Sequence, residues 1–80
     1  MSPTVFIIDG YRFFFFSEEG TERPHIHIRK TRGLCKFWLI PAIKLAKSSN
    51  FKLFELKRIE SIVIENREIF LGRWHEFFGR

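Results

Sequence analysis

The sequence predicts an α+β domain, in which a four-stranded, mostly antiparallel sheet packs against one long C-terminal helix. Two patterns and the chain length carry this. In the first half, short runs of β-branched and aromatic residues are separated by turn-forming residues such as Asp9-Gly10 and Thr31-Arg32-Gly33. From Leu56 to Phe77, apolar residues recur at three- and four-residue spacing. A chain of 80 residues makes one domain, 1–80, whose core is modest relative to its surface.

The elements follow in order. Residues 4–8 are rich in β-branched and aromatic side chains and read as the first strand. Asp9-Gly10 is a two-residue hairpin signal, and residues 11–16 return as the second strand. Phe13, Phe14, Phe15 and Phe16 place aromatics on both of its faces, which suits a strand covered on both sides. Residues 17–24 form a polar loop, and Pro24 biases Arg23 toward extended backbone. Residues 25–30 are the third strand. After the turn at residues 31–33, residues 34–40 are the fourth, and Pro41 ends regular pairing or marks an edge. Residues 42–47 read equally as a short strand or a helical turn, and Ser48-Ser49-Asn50 offers capping chemistry. In the final helix Leu56, Ile59, Val63, Phe70, Trp74 and Phe77 form one stripe, widened by Ile62 and Ile69. That much apolar surface must lie across a sheet. Gly79 is a suitable stop.

The densest chemistry lies in Arg23-Pro24-His25-Ile26-His27-Ile28-Arg29-Lys30. Alternation places His25, His27 and Arg29 on one face of the strand and Ile26 and Ile28 on the other. The net charge is +5, and it is unevenly spread. From Arg23 to Lys52 every charged residue is basic, and all nine acidic residues lie outside that window. Such a basic middle suits a polyanionic or acidic partner. Hydrophobic residues make up 45% of the chain and include eleven Phe. That surplus predicts an interface, either in a dimer or with a partner protein. The one cysteine, Cys35, excludes an internal disulfide, lies in an apolar run and reads as a buried, inert thiol. No run approaches the length of a membrane span, and the N-terminus lacks signal-peptide features, so a cytoplasmic setting is expected.

Several motifs together resemble one known family. They are Ser2-Pro3-Thr4-Val5-Phe6, the run from Gly10 to Ser17, Pro24-His25-Ile26-His27-Ile28, Lys36-Phe37-Trp38-Leu39, Glu55-Leu56, Arg58-Ile59-Glu60, Glu65-Asn66 and Trp74-His75-Glu76-Phe77-Phe78-Gly79. The family consists of small bacterial proteins of unknown function, often found beside another small domain in two-gene, toxin–antitoxin-like modules. The resemblance implies a small cognate, antitoxin-like protein partner. Two positions depart from the family pattern. Ile40 stands where similar sequences carry an acid before the proline. Lys52 stands where Ser or Thr would complete a capping box with Glu55, so the helix start falls between residues 50 and 54.

Three chemistries fit these residues. In a metal-independent ribonuclease, His25 and His27 would serve as base and acid. Arg29 would clamp the phosphate with help from Arg23 or Arg32, and His75 and Glu76 would join if the helix end lies near. This reading requires both imidazoles to emerge together and to be open to solvent. In a metal site, His25 and His27 would need His75 or Glu76 as a third ligand, and without a nearby cysteine or acid that signal is weak. In a binding module, Arg23, Lys30, Arg32, Lys36 and Trp38 would hold RNA, DNA or an acidic protein. The sequence therefore points to a toxin–antitoxin-type component that binds or cleaves RNA, needing no cofactor or metal. The alternative is a non-catalytic module for nucleic acid or an acidic partner.

Overall fold

Asp9 and Gly10 hold φ of 53° and 80°, the two left-handed positions that a type I′ hairpin turn requires. They join β1 (Thr4–Ile8) to β2 (Tyr11–Phe14). The computed structural model describes residues 4–16 and 21–79. The first half of the expected polar loop, residues 17–20, and Ser2 and Pro3 of the opening motif lie outside the described residues.

β3 (His25–Lys30), β4 (Gly33–Trp38) and β5 (Lys44–Ser49) complete the sheet. Each strand pairs antiparallel with the one before it, in the order β1-β2-β3-β4-β5. The sheet thus has five strands where the sequence predicts four. The additional strand, β5, comes from the stretch that read as strand or helical turn. Its residues are all exposed, so no buried face marks it, and it is held by the ladder to β4. Ser48 and Ser49 finish this strand and do not cap the helix. β2 and β4 are each two residues shorter at their ends than expected, although Leu39 still donates to the Pro24 carbonyl (2.9 Å) beyond the ladder.

The single long helix is instead two, α1 (Leu53–Glu65) and α2 (Arg67–Phe78). Asn66 makes the break, with φ −112° and ψ 17°. Its side-chain amide donates to the Ile62 carbonyl (2.8 Å), which its own backbone N–H also reaches (3.0 Å). Such side-chain competition for an i−4 carbonyl bends helices. The bend also solves a length problem. One straight helix over both segments would run about 39 Å, longer than the 34 Å long axis of the molecule. Arg67 secures the second segment by donating from Nε to the Leu39 carbonyl (3.1 Å).

The helices cover one face of the sheet. Phe13, Ile26, Ile28 and Phe37 from the strands, with Phe15 just beyond β2, meet Ile59, Ile62, Val63, Phe70 and Trp74. Phe13 stacks on Phe70 with ring centroids 5.3 Å apart, and Phe15 meets Trp74 edge-on at 5.3 Å. Cys35 lies in this layer, and burial pushes its thiol from an ordinary 9.0 up to about 12, so it stays protonated and unreactive. Burial also raises Tyr11. Two residues of the predicted stripe are outside the core, Ile69 at 47% and Phe77 at 46% exposure. After the bend the buried line runs from Phe70 and Trp74 to Phe78, whose ring is 4.2 Å from that of Trp74. Among the described residues no helix is long and apolar enough to cross a membrane.

Candidate functional site

The face of the sheet away from the helices holds every second strand residue. Opposed residues of an antiparallel pair share a face, so the register arranges this one in rows. Ile7, Arg12, Arg29, Leu34 and Ser49 form the first. Phe14, His27, Lys36 and Lys47 form the second. His25, Trp38 and Lys44 form the third. The extra residue Ala46 on β5 keeps both Lys47 and Lys44 on this side despite their odd spacing. Neighbours within a row stand about 5 Å apart, and rows about 7 Å apart. The cations therefore form a diagonal stripe: Arg12 and Arg29 in the first row, Lys36 and Lys47 in the second, Lys44 in the third. Lys36 donates to Glu22 at 2.7 Å. Arg29, Lys44 and Lys47 are exposed and make no ion pair among the described residues.

The two histidines share this face, with ring centroids 5.1 Å apart, but they are not open to solvent. His25 is 0% exposed and His27 4%. His25 is wedged among Trp38 (5.6 Å), Trp74 of α2 (4.8 Å) and His27. Its Nδ1 lies 2.8 Å from the Arg23 carbonyl. A carbonyl can only accept, so Nδ1 carries the proton. His27 packs between Phe14 (5.5 Å) and Phe16 (4.5 Å). Among the described residues no buried side-chain nitrogen or oxygen lacks a hydrogen-bond partner. The solvent-accessible imidazole pair is therefore corrected: aromatic side chains from β2, β4 and α2 close over it.

The remaining predicted residues divide. Arg29, Lys36 and Trp38 stand on the open face, and Arg23 lies over the Trp38 ring at 4.1 Å, with the Lys36 ammonium 4.4 Å from the same ring. Trp38 thus presents no bare platform for a stacked base. Lys30 is one residue out of phase with Arg29. Its ammonium sits 4.5 Å from the Tyr11 ring and donates to the Asp9 carbonyl (3.3 Å), on the helix side. Arg32 is exposed in the turn between β3 and β4. His75 is exposed on α2, and among the described residues no contact joins its side chain to His25 or His27. No three of the described His, Cys, Asp and Glu residues gather as metal ligands.

Sequence reasoning missed Arg12, Lys44 and Lys47. The signal for Arg12 was its register opposite Arg29, and for the lysines the existence of β5. Two clefts follow the stripe. One of about 290 Å³ is bordered by Phe16, His27, Leu34, Lys36, Lys47 and Ser49. Another of about 440 Å³ is bordered by Arg23, Trp38, Pro41 and Lys44.

The chain matches the family described as a domain of unknown function, DUF4160, over residues 10–75. It belongs to the DUF4160 family. The matched span carries the whole cationic stripe and both buried histidines, and the family description assigns no activity. No curated protein and no solved structure matches the chain.

Proposed function

We propose that this DUF4160 chain binds the phosphate backbone of RNA on its open sheet face, as a component of a toxin–antitoxin-type pair. The two-gene resemblance supports the pairing, and the face supports the RNA chemistry. One observation carries it: the register sets Arg12, Arg29, Lys36, Lys44 and Lys47 on the side of the sheet opposite the core that packs on the helices. Cations in a line with backbone positions about 5–9 Å apart suit successive phosphates, whereas a scattered set would not. The mode is binding without cleavage. A general base must reach the proton it removes, and His25 is sealed behind two tryptophans with Nδ1 committed to a carbonyl. Because Trp38 is already engaged by Arg23 and Lys36, affinity rests on charge more than on base stacking.

The test is binding of a labelled single-stranded oligoribonucleotide across a salt series. Engagement of four of these cations predicts a log–log slope near −3, and Arg29→Ala with Lys47→Ala should flatten it by about 1.4. The RNA should be recovered intact after incubation. Absence of binding at low salt, or an unchanged slope in the folded double variant, would overturn the assignment of this face. Accumulation of 2′,3′-cyclic phosphate fragments that ceases in a folded His27→Gln variant would replace binding with cleavage.

A further inference from the structure

β5 borders the sheet and is exposed along its whole length. Among the described residues its ladder runs only to β4, so its outward backbone N–H and C=O groups can take a further strand. The two sides of this edge differ in chemistry. On the open face stand Lys44 and Lys47. On the helix side stands Leu45, opposite Phe37. There Leu45, Leu53, Leu56, Lys57 and Glu60 border a groove of about 200 Å³ between the edge and α1. Leu53 is 69% exposed, a large apolar side chain left beside an unpaired strand.

We propose that the β5 edge receives an extended segment of a partner protein in which acidic and apolar residues alternate. Side chains of an added strand point alternately to the two faces. One set would lie beside Lys44 and Lys47 and the other would enter the Leu45–Leu53 groove. Main-chain hydrogen bonds supply affinity in this mode, and the alternate side chains supply specificity. The charge also selects against the simplest competitor. A second copy of the chain would bring its own Lys44 and Lys47 to the same edge, and like charges on neighbouring strands repel. Lysines and a bulge, here at Ala46, are devices that keep an edge from pairing with itself. The repulsion they supply against a copy becomes attraction toward an acidic strand. This inference stands apart from the RNA reading, which uses the face of the sheet and not its edge, although both involve Lys44 and Lys47.

The experiment uses the full chain and the blocked peptide Glu-Val-Glu-Leu-Glu-Val, titrated by calorimetry without nucleic acid. Saturable binding at one peptide per chain is expected. Two further peptides carry backbone N-methyl groups, one on every Glu and the other on every Val and Leu. One of them should weaken by roughly tenfold or more, since it loses up to three main-chain donors that face β5, and the other should bind as before. Leu53→Asp should weaken the parent peptide, and Lys44→Glu with Lys47→Glu should transfer preference to Lys-Val-Lys-Leu-Lys-Val. Failure to bind, equal binding of both N-methylated peptides, or equal binding of Glu-Glu-Glu-Val-Leu-Val would overturn the proposal. So would a dimer of the free chain that the parent peptide dissociates, since the edge would then serve a second copy. Peptide binding by a chain that binds no RNA would leave this inference standing and remove the other.

Discussion

His25 is an aromatic core residue that happens to be polar. Its ring fills the space between Trp38 and Trp74, and its Nδ1–H donates to the Arg23 carbonyl. His25→Ala should therefore cost about 2–4 kcal/mol, combining a cavity with a lost buried hydrogen bond. A urea midpoint that falls accordingly would confirm it, and a variant as stable as the parent would remove the packing role. Loss of any activity in that variant would report on folding before it reported on chemistry. Cys35 makes a second residue-scale prediction. The unfolded thiol ionises near 9, whereas the folded one keeps its proton to about 12. Between those values the unfolded state binds fewer protons, so stability falls as pH rises, by up to about 1.4 kcal/mol per pH unit. Tyr11, also raised by burial, adds in the same direction above its own ordinary value of 10.0. Denaturation of Cys35→Ala across this range should show a shallower decline than the parent, and an equal decline would contradict the assignment.

At the scale of elements, α1 begins poorly. Lys52 is its N-cap residue and adopts extended backbone, φ −79° and ψ 161°. Only half of a capping box is present: the Lys52 N–H donates to Glu55 (2.9 Å), while an ammonium has no lone pair to offer in return. Its charge also opposes the helix dipole. Lys52→Ser should complete the box and stabilise the domain by about 1 kcal/mol. In a domain of this size that is a rise of about 4–8 °C in thermal midpoint, measurable by circular dichroism. A second junction is tighter. Arg58 donates to Asp9 from both Nε (3.1 Å) and Nη2, tying α1 to the first hairpin turn. The hairpin itself was legible from Asp9-Gly10, because positive φ at two adjacent residues is a local demand. The break at Asn66 was not, since apolar spacing looks alike on both sides of it. β5 was not legible either, because an edge strand with no buried residue leaves no hydrophobic pattern.

For the whole molecule, the consequence is a sheet whose two sides differ: the helix-packed core lies on one, and a line of cations interleaved with aromatic rings lies on the other. One side meets two helices through rings and aliphatic side chains. The other carries the cationic stripe, and Glu22 is the described acid bonded into it. The salt-slope prediction belongs at this scale, because it concerns a surface and not a residue. Lys57, exposed on α1, serves as its control. Lys57→Ala should leave the RNA salt slope unchanged, and an equal fall there would mean that charge anywhere on the molecule suffices. The exposed Leu53, Phe54, Ile64, Ile69 and Phe77 on the helices hold most of the apolar surplus read from composition. Leu45 on β5 and Ile7, beside Arg12 at the end of the first row, are the large exposed apolar residues of the sheet among those described.

The amino-acid sequence by itself determined the alternation of β3, the first hairpin, and the apolar stripe that seats the helices. It also concentrated basic residues in the middle of the chain. Each of these depends on residues within a few positions of one another, through strand and helix period or through allowed backbone angles. Only the tertiary structure decided that the histidines are buried and which basic side chains stand together. The first outcome needs Trp74 of α2 against His25, and Phe14 and Phe16 around His27, residues that meet only in the folded chain. The second needs the register of five strands, in which a one-residue slip sends every side chain to the opposite face.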